Sequence, residues 1–215
     1  MKSLFTKRLS LLPLLALAGM LGAGAAAAQT ADLLISEYVE GSANNKAVEI
    51  YNGTADAVAL GTYTLDRYAN GATVPYSIAL PAINLAPGAT HVITHNQADA
   101  VLLSRADQVN ANLNFNGNDA LVLARAGIAV DSVGRVGEDP GTAWTCAGGS
   151  TLNHTMRRVS SVCGGDTDPS NAYDPCLGWV FFAVDTFSGV GSHVTDCGAV
   201  ADEATSWGAI KATYR

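Results

Sequence analysis

Leu33-Leu34-Ile35-Ser36-Glu37-Tyr38-Val39, then Gly41-Ser42-Ala43-Asn44-Asn45, then Lys46-Ala47-Val48-Glu49-Ile50-Tyr51 form the stretch that decides the fold. The first segment starts as a buried run and then alternates. In the last, Ala47, Glu49 and Tyr51 face one way, and Val48 and Ile50 face the other, which is the period of a β-strand. The segment between them consists of residues that turn readily and tolerate positive φ. Asn52-Gly53 ends the second strand with another turn signal. On this pattern Glu49 is expected on the solvent side of the strand, exposed.

The same pattern continues outward along the chain. Residues 63–68 are β-prone and lead into Asn70-Gly71, and 76–80 alternate between Pro75 and Pro81. Ala86-Pro87-Gly88 precedes a strand at 90–94, and two more strands, at 121–123 and 128–130, are joined around Ala126-Gly127. Residues 151–158 predict a further strand, and 97–103 predict the one short helical stretch. Short strands between turn residues with almost no helix imply an all-β sandwich or barrel.

The ends read differently. Lys2, Lys7 and Arg8 precede an apolar run over 9–21, and Ala26-Ala27-Ala28 offers a cleavage site, so residues 1–28 are expected to be a secretory signal peptide. The domain is expected over 29–197, followed by a tail at 198–215 that ends in an aromatic and basic stretch from Trp207 to Arg215. Of the 12 basic and 19 acidic residues, three basic ones fall in the signal segment, which makes the remainder more acidic still than the whole chain's net charge of −7. An acidic surface repels phosphate, so direct contact with nucleic acid is not expected. No second apolar run is long enough to span a bilayer, so no membrane contact is expected once the signal is removed. The protein is expected outside the cytoplasm, either extracellular or periplasmic.

Cys146, Cys163, Cys176 and Cys197 all lie in the last third of the chain. An even number of cysteines behind a signal peptide predicts two disulfides with three possible connectivities. Sequential pairing, Cys146–Cys163 and Cys176–Cys197, closes the shorter loops and is the expectation. A thiolate zinc site is disfavoured by the lack of C-x-x-C spacing.

Several motifs in order resemble the lamin-tail domain family. They are Ile35-Ser36-Glu37-Tyr38, then 45–52, Leu60 with Tyr63-Thr64-Leu65, Leu85-Ala86-Pro87-Gly88, and Asn114-Phe115-Asn116-Gly117-Asn118-Asp119-Ala120-Leu121. Asp131-Ser132-Val133-Gly134, Gly137-Glu138-Asp139-Pro140-Gly141, Trp144, Thr151-Leu152 and Arg157-Arg158 extend the match, so that it covers roughly 33–193. The start resembles the form found beside the catalytic domain of secreted bacterial nucleases. The resemblance implies an immunoglobulin-like β-sandwich serving as a binding or scaffold module toward a protein or cell-surface partner. It does not imply a complete enzyme. An accessory role in extracellular nucleic-acid processing is the alternative, and a small hydrolase a more distant one.

Candidate chemistry is sparse. His91 and His95 lie on one strand about 13 Å apart, too far to share a metal ion, and are expected at the surface or rim. His154 is the third histidine, and His193 lies in Gly189-Val190-Gly191-Ser192-His193, which reads as a structural turn. No serine sits in a G-x-S-x-G elbow. Glu37 and Glu49 are candidate paired carboxylates whose separation the sequence does not fix. Asp166, Asp168, Asn171 and Asp174 place four oxygen donors on one loop, making them the candidate ligands of a Ca²⁺ ion. The spacing departs from an EF-hand, and the competing reading is a loop whose carboxylates cap its own N–H groups. Asn52-Gly53-Thr54 and Asn153-His154-Thr155 match the glycosylation sequon, and no function is attached to them.

Overall fold

A computed structural model describes residues 30–198. The expected signal segment and, apart from Gly198, the expected tail lie outside the described residues. The strands are β1 (Leu34–Glu40), β2 (Lys46–Tyr51), β3 (Val58–Ala59), β4 (Tyr63–Tyr68), β5 (Tyr76–Ala79), β6 (Asn84–Leu85) and β7 (Thr90–Thr94). They continue as β8 (Gln108–Val109), β9 (Ala120–Arg125), β10 (Ile128–Val133), β11 (Thr145–Cys146), β12 (Gly149–Ser150), β13 (His154–Arg158) and β14 (Trp179–Phe182). A 3-10 turn at Leu60–Thr62 and one short α-helix, α1 (Ala100–Leu103), interrupt them. A six-stranded sheet has the order β14-β13-β1-β2-β7-β8, and a four-stranded sheet the order β10-β9-β4-β5. The all-β, immunoglobulin-like class expected from the sequence is the class observed.

The two sheets face each other across one core. The larger contributes Ile35, Tyr38, Val48, Ile50, Ile93, Met156 and Trp179, and the smaller contributes Tyr63, Leu65, Ile78, Leu121, Leu123 and Val133. Phe115 fills the end of this core, its ring centroid 4.8 Å from that of Tyr38. Each such side chain stabilises the fold by roughly 1.5–3 kcal/mol relative to exposure.

A buried carboxylate ties the two sheets together. Asp131 on β10 accepts from the Arg158 guanidinium and from the Ile35 N–H at 2.7 Å, both on the larger sheet. It also accepts from the N–H of Ser132 at 2.8 Å and of Asp166 at 2.9 Å, so it anchors the loop after β13 as well. Arg158 stacks over Trp179, 3.9 Å from the ring centroid. A second buried carboxylate, Asp119, joins β4 to the loop before β9 at one end of the smaller sheet: it pairs with Arg67 at 3.1 Å and accepts from the N–H groups of Asn70 and Asn116. Gly134 has φ +81°, and a Cβ there would lie 2.7 Å from the Trp144 ring, so only glycine lets the indole pack on this turn.

The outer face of the larger sheet is covered too. Val39, Ala47 and Val92 from the sheet pack with Ala98, Leu102 and Val190, the last from a strap at 184–193. This second layer explains why Glu49 is buried, at 1 % exposed, where solvent exposure was expected. The alternation holds, but a helix and a strap lie beyond it in place of water. His91 and His95, expected at the surface or rim, are buried as well. His91 Nε2 donates to Gln108 Oε1 at 3.2 Å, and His95 Nδ1 accepts from the Gln97 N–H at 3.1 Å.

The disulfides are Cys146–Cys176 and Cys163–Cys197, with Cα separations of 5.9 and 5.3 Å, which corrects the sequential pairing. Sheet geometry sets the pairing. Cys146 lies on β11, whose partner β12 packs Gly149 against Phe181, and Cys176 leads into the strand that carries Phe181. Cys163 and Cys197 meet because the chain returns beside β13, where Asp196 N–H donates to Ser160 O at 2.8 Å. Two local boundaries also shift. The helix begins at Ala100, where the Asp99 carboxylate caps Val101 N–H at 2.8 Å, rather than at residue 97. The strand expected from residue 151 begins at His154, after Asn153 turns with φ +54°.

Candidate functional site

The site begins with an extra residue in β1. Ile35 pairs with Ile50 and Glu37 pairs with Glu49, so Ser36 is a β-bulge. In unbroken register Ser36 would oppose Glu49, and Glu37 would point into the core beside Val48. The bulge keeps Ser36 and Glu37 both toward the outer face while Tyr38 returns to the core, a common way of re-aiming a side chain. Glu37 and Glu49 are thereby direct cross-strand neighbours, whose Cβ atoms lie about 5 Å apart in such pairs.

Both carboxylates are buried under the strap. Glu49 accepts from the Ser36 hydroxyl at 2.7 Å and from the Gly191 N–H at 2.6 Å. Glu37 Oε2 lies 3.2 Å from Arg157 Nε, close enough for an ion pair but not aligned as a hydrogen bond. Its other oxygen, Oε1, is buried with no donor. Arg157 also donates to the Ser188 hydroxyl at 3.1 Å and lies 4.1 Å from the centroid of the Phe182 ring. Gly189 runs directly over the pair: a Cβ there would collide with the Arg157 guanidinium and the Glu37 carboxylate. The strap is held by Asp185, which accepts from Ser42 and Asn45, and by Arg105, which donates to Val190 O at 2.7 Å.

Burial raises the Glu37 carboxyl to about 7, with Glu49 adding to the rise and Arg157 opposing it. Burial also raises Glu49, against the hydrogen bonds it accepts from Ser36 and Gly191. His193 is pushed down by burial and by the positive charge of Arg158. Its ring packs edge-on to Tyr51, with centroids 4.8 Å apart, and its Nε2 is buried without a partner.

Beside this cluster opens a cavity of about 390 Å³ whose walls include Glu37, Arg157, His193, Val159, Val180 and Val194. Val180 is 46 % and Val194 78 % exposed, so the rim is apolar and open to solvent. Val180 belongs to β14, the outermost strand of the larger sheet. The arrangement offers a polar floor with unused hydrogen-bonding capacity beneath apolar walls, which suits ligand capture. It does not place the two carboxylates on opposite sides of an open cleft, as hydrolysis of a glycoside needs.

The sequence candidates thus divide. Glu37, Glu49 and His193 come together, whereas His91, His95 and His154 do not join them; His154 Nδ1 donates to Leu152 O at 2.7 Å. On the acidic loop, Asp166 Oδ1 accepts from Asp168 N–H and from the Asn171 amide, at 3.0 and 3.2 Å. Asp168 accepts from the Ser170 N–H and hydroxyl, which lower its pKa, and Asp174 accepts from Cys176 N–H at 2.9 Å. Among the described residues, the one convergent group of three His, Cys, Asp or Glu ligand atoms is Cys146, Asp174 and Cys176, and its two sulfurs form a disulfide. Sequence reasoning gave Arg157 and Gly189 no role at the site. A charged residue inside a strand, paired with a glycine-rich stretch lacking strand character, was the available signal. No helix among the described residues is long and apolar enough to cross a membrane.

The family model described as Lamin Tail Domain matches residues 26–137, slightly more than half of the chain. No curated protein matches the chain. The match includes β1 and β2 with both carboxylates, whereas Arg157, the strap, His193 and the four cysteines lie beyond it.

Proposed function

We propose, from the premise that the chain belongs to the lamin tail domain family, that it is a non-catalytic binding module working outside the cytoplasm, and that it holds its partner in the groove beside β14. The observation that carries the reading is the cavity of about 390 Å³ lined in part by Glu37, a buried carboxylate with one oxygen lacking any donor. Buried polar groups are ordinarily satisfied, so a cluster of unsatisfied ones in a cavity wall favours recognition over packing. Two disulfides in the last third of the chain support an oxidising location. They also hold both flanks of the groove, since Cys176 leads into β14 and Cys197 follows the strap.

The test is a two-dimensional NMR titration of ¹⁵N-labelled protein with a pool of short peptides at millimolar concentration. Saturable shifts confined to Val180, Gly189, Gly191 and Val194 are expected, with the peptides recovered intact. Shifts scattered over the surface, or cleavage of the peptides, would contradict the reading. Shifts induced instead by single-stranded DNA at low salt would favour the accessory role in nucleic-acid processing.

A further inference from the structure

The groove has a chemical bias, and the inference drawn from it rests on the binding reading above. Two carboxylates, Glu37 from β1 and Glu49 from β2, are buried side by side. One guanidinium, that of Arg157 from β13, contacts Glu37 directly and acts on Glu49 only through its charge. Arg105, from the segment after α1, acts on Glu37 from further away, and its own hydrogen bond goes to Val190 O. Arg158 is committed to Asp131, and His193 from the strap is held toward its neutral form by burial. Direct contacts therefore leave one buried carboxylate in excess.

Hydrogen bonding shows the same shortage. Glu49 has two donors, but Glu37 Oε1 has none, and Glu37 is 2 % exposed. What this wall lacks is a donor that also carries positive charge. Charge-assisted hydrogen bonds are about twice as strong as neutral ones. The groove walls of Val159, Val180 and Val194 suit an aliphatic stem more than a compact ion. A ligand carboxylate would instead be set beside Glu37 and Glu49, with Arg157 already engaged.

We infer that the groove takes a cationic side chain from a partner peptide, an ammonium or guanidinium on an alkyl stem, with the Glu37 carboxylate as its acceptor and the valines around the stem. The strap over the carboxylate is backbone alone at Gly189 and Gly191, so admission of the head group requires only main-chain displacement there. The ionised form of Glu37 is the binding form. Because burial raises that group to about 7, affinity falls as the pH is lowered from 8 to 6, and cation binding at neutral pH releases protons. Protonation of His193 at lower pH acts in the same direction.

The experiment is an NMR titration of the full chain with three probes: Nα-acetyl-lysine methylamide, its Nε-acetylated counterpart, and Nα-acetyl-glutamate methylamide. The lysine probe is expected to give saturable shifts at the Gly189 and Gly191 amides, and its acetylated form none. Glu37→Gln should weaken the lysine probe by about tenfold, the scale of one charge-assisted hydrogen bond. Val194→Lys, at a position 78 % exposed and so without consequence for folding, should weaken it several-fold by repulsion. Undiminished lysine binding in both variants overturns the inference. Preferential binding of the glutamate probe at the same amides overturns it too, while leaving the groove as a binding site. No shift with any probe removes both the inference and the binding reading beneath it.

Discussion

The six-stranded sheet has two faces that the same strands build from different chemistry. On the inner face Ile35, Val48, Ile50, Ile93 and Met156 meet the opposing sheet in an apolar core. On the outer face Glu37, Glu49 and Arg157 lie under a strap that closes over them with backbone N–H groups and glycine. Both faces are buried, but the inner one is held by hydrophobic burial, which tolerates little change in volume. The outer one combines a small apolar cluster around Leu102 and Val190 with a few directed contacts around charges that are costly to desolvate. Adjacent residues of one strand can therefore serve stability and recognition separately, Ile50 on one side and Glu49 on the other.

The largest expected effect comes from the residue that serves as the tie between the sheets. Asp131→Ala leaves Arg158 buried without its partner and frees the donors of Ile35 and Asp166, and should cost about 3–5 kcal/mol in denaturant unfolding. A loss within about 1 kcal/mol, the range of a surface pair, would mean that Asp131 is not the tie described.

A direct contrast of the faces is available next. Ile50→Ala on the inner face should cost about 2–5 kcal/mol and lower the stability of the whole domain. Val190→Ala on the strap should cost about 1–2 kcal/mol. By hydrogen exchange it should speed the Gly191 amide while leaving the amides of β2 slow, since the strap is expected to open locally. Equal acceleration of both sets would show that the two faces unfold as one unit.

The pH dependence sharpens the comparison further. Glu37 has its folded-state pKa raised, so its stabilising contribution is complete below about pH 4.5 and is lost as the pH rises through about 7. The wild type should therefore lose up to roughly 3 kcal/mol from this group between those limits. Glu37→Gln removes the titration and should flatten that slope, bringing the variant level with or above the wild type at pH 8. An unchanged slope would place the titration elsewhere.

The smallest effect is expected on the acidic loop. Asp166→Ala and Asp168→Ala remove side-chain acceptors for exposed loop N–H groups, and each should lower the melting temperature only slightly. If capping is their role, the cost is the same in EDTA and in millimolar Ca²⁺. A wild-type melting temperature that climbs with Ca²⁺, and a variant that loses the climb, would instead make the loop an ion site.

The inner face was legible in the sequence because period-two alternation and turn residues fix which side chains meet. Val48 and Ile50 needed nothing else to be placed in the core. The outer face was not legible. Alternation at Glu49 gives a direction but not what lies in that direction, and the cover comes from residues about 140 positions away, as the Gly191 contact shows. The Ser36 bulge, which makes Glu37 face Glu49, has no periodic signature. The two disulfides were legible but their pairing was not, for a related reason: loop length favours near neighbours, whereas the pairing of β13 with β14 decided which cysteines met. The family motifs carried the fold, and Asp119 and Asp131 within them are its buried ties. The groove is completed by residues beyond the family match.

The central claim is that the outer face holds a desolvated carboxylate pair and not two solvent-facing glutamates. Following the side-chain carboxyl ¹³C resonance of Glu37 through a pH titration tests it most directly. A midpoint near 7 is expected, moving downward in Glu49→Gln because the neighbouring negative charge is removed. A midpoint near 4.5, unaffected by that substitution, would contradict it and return both glutamates to the surface.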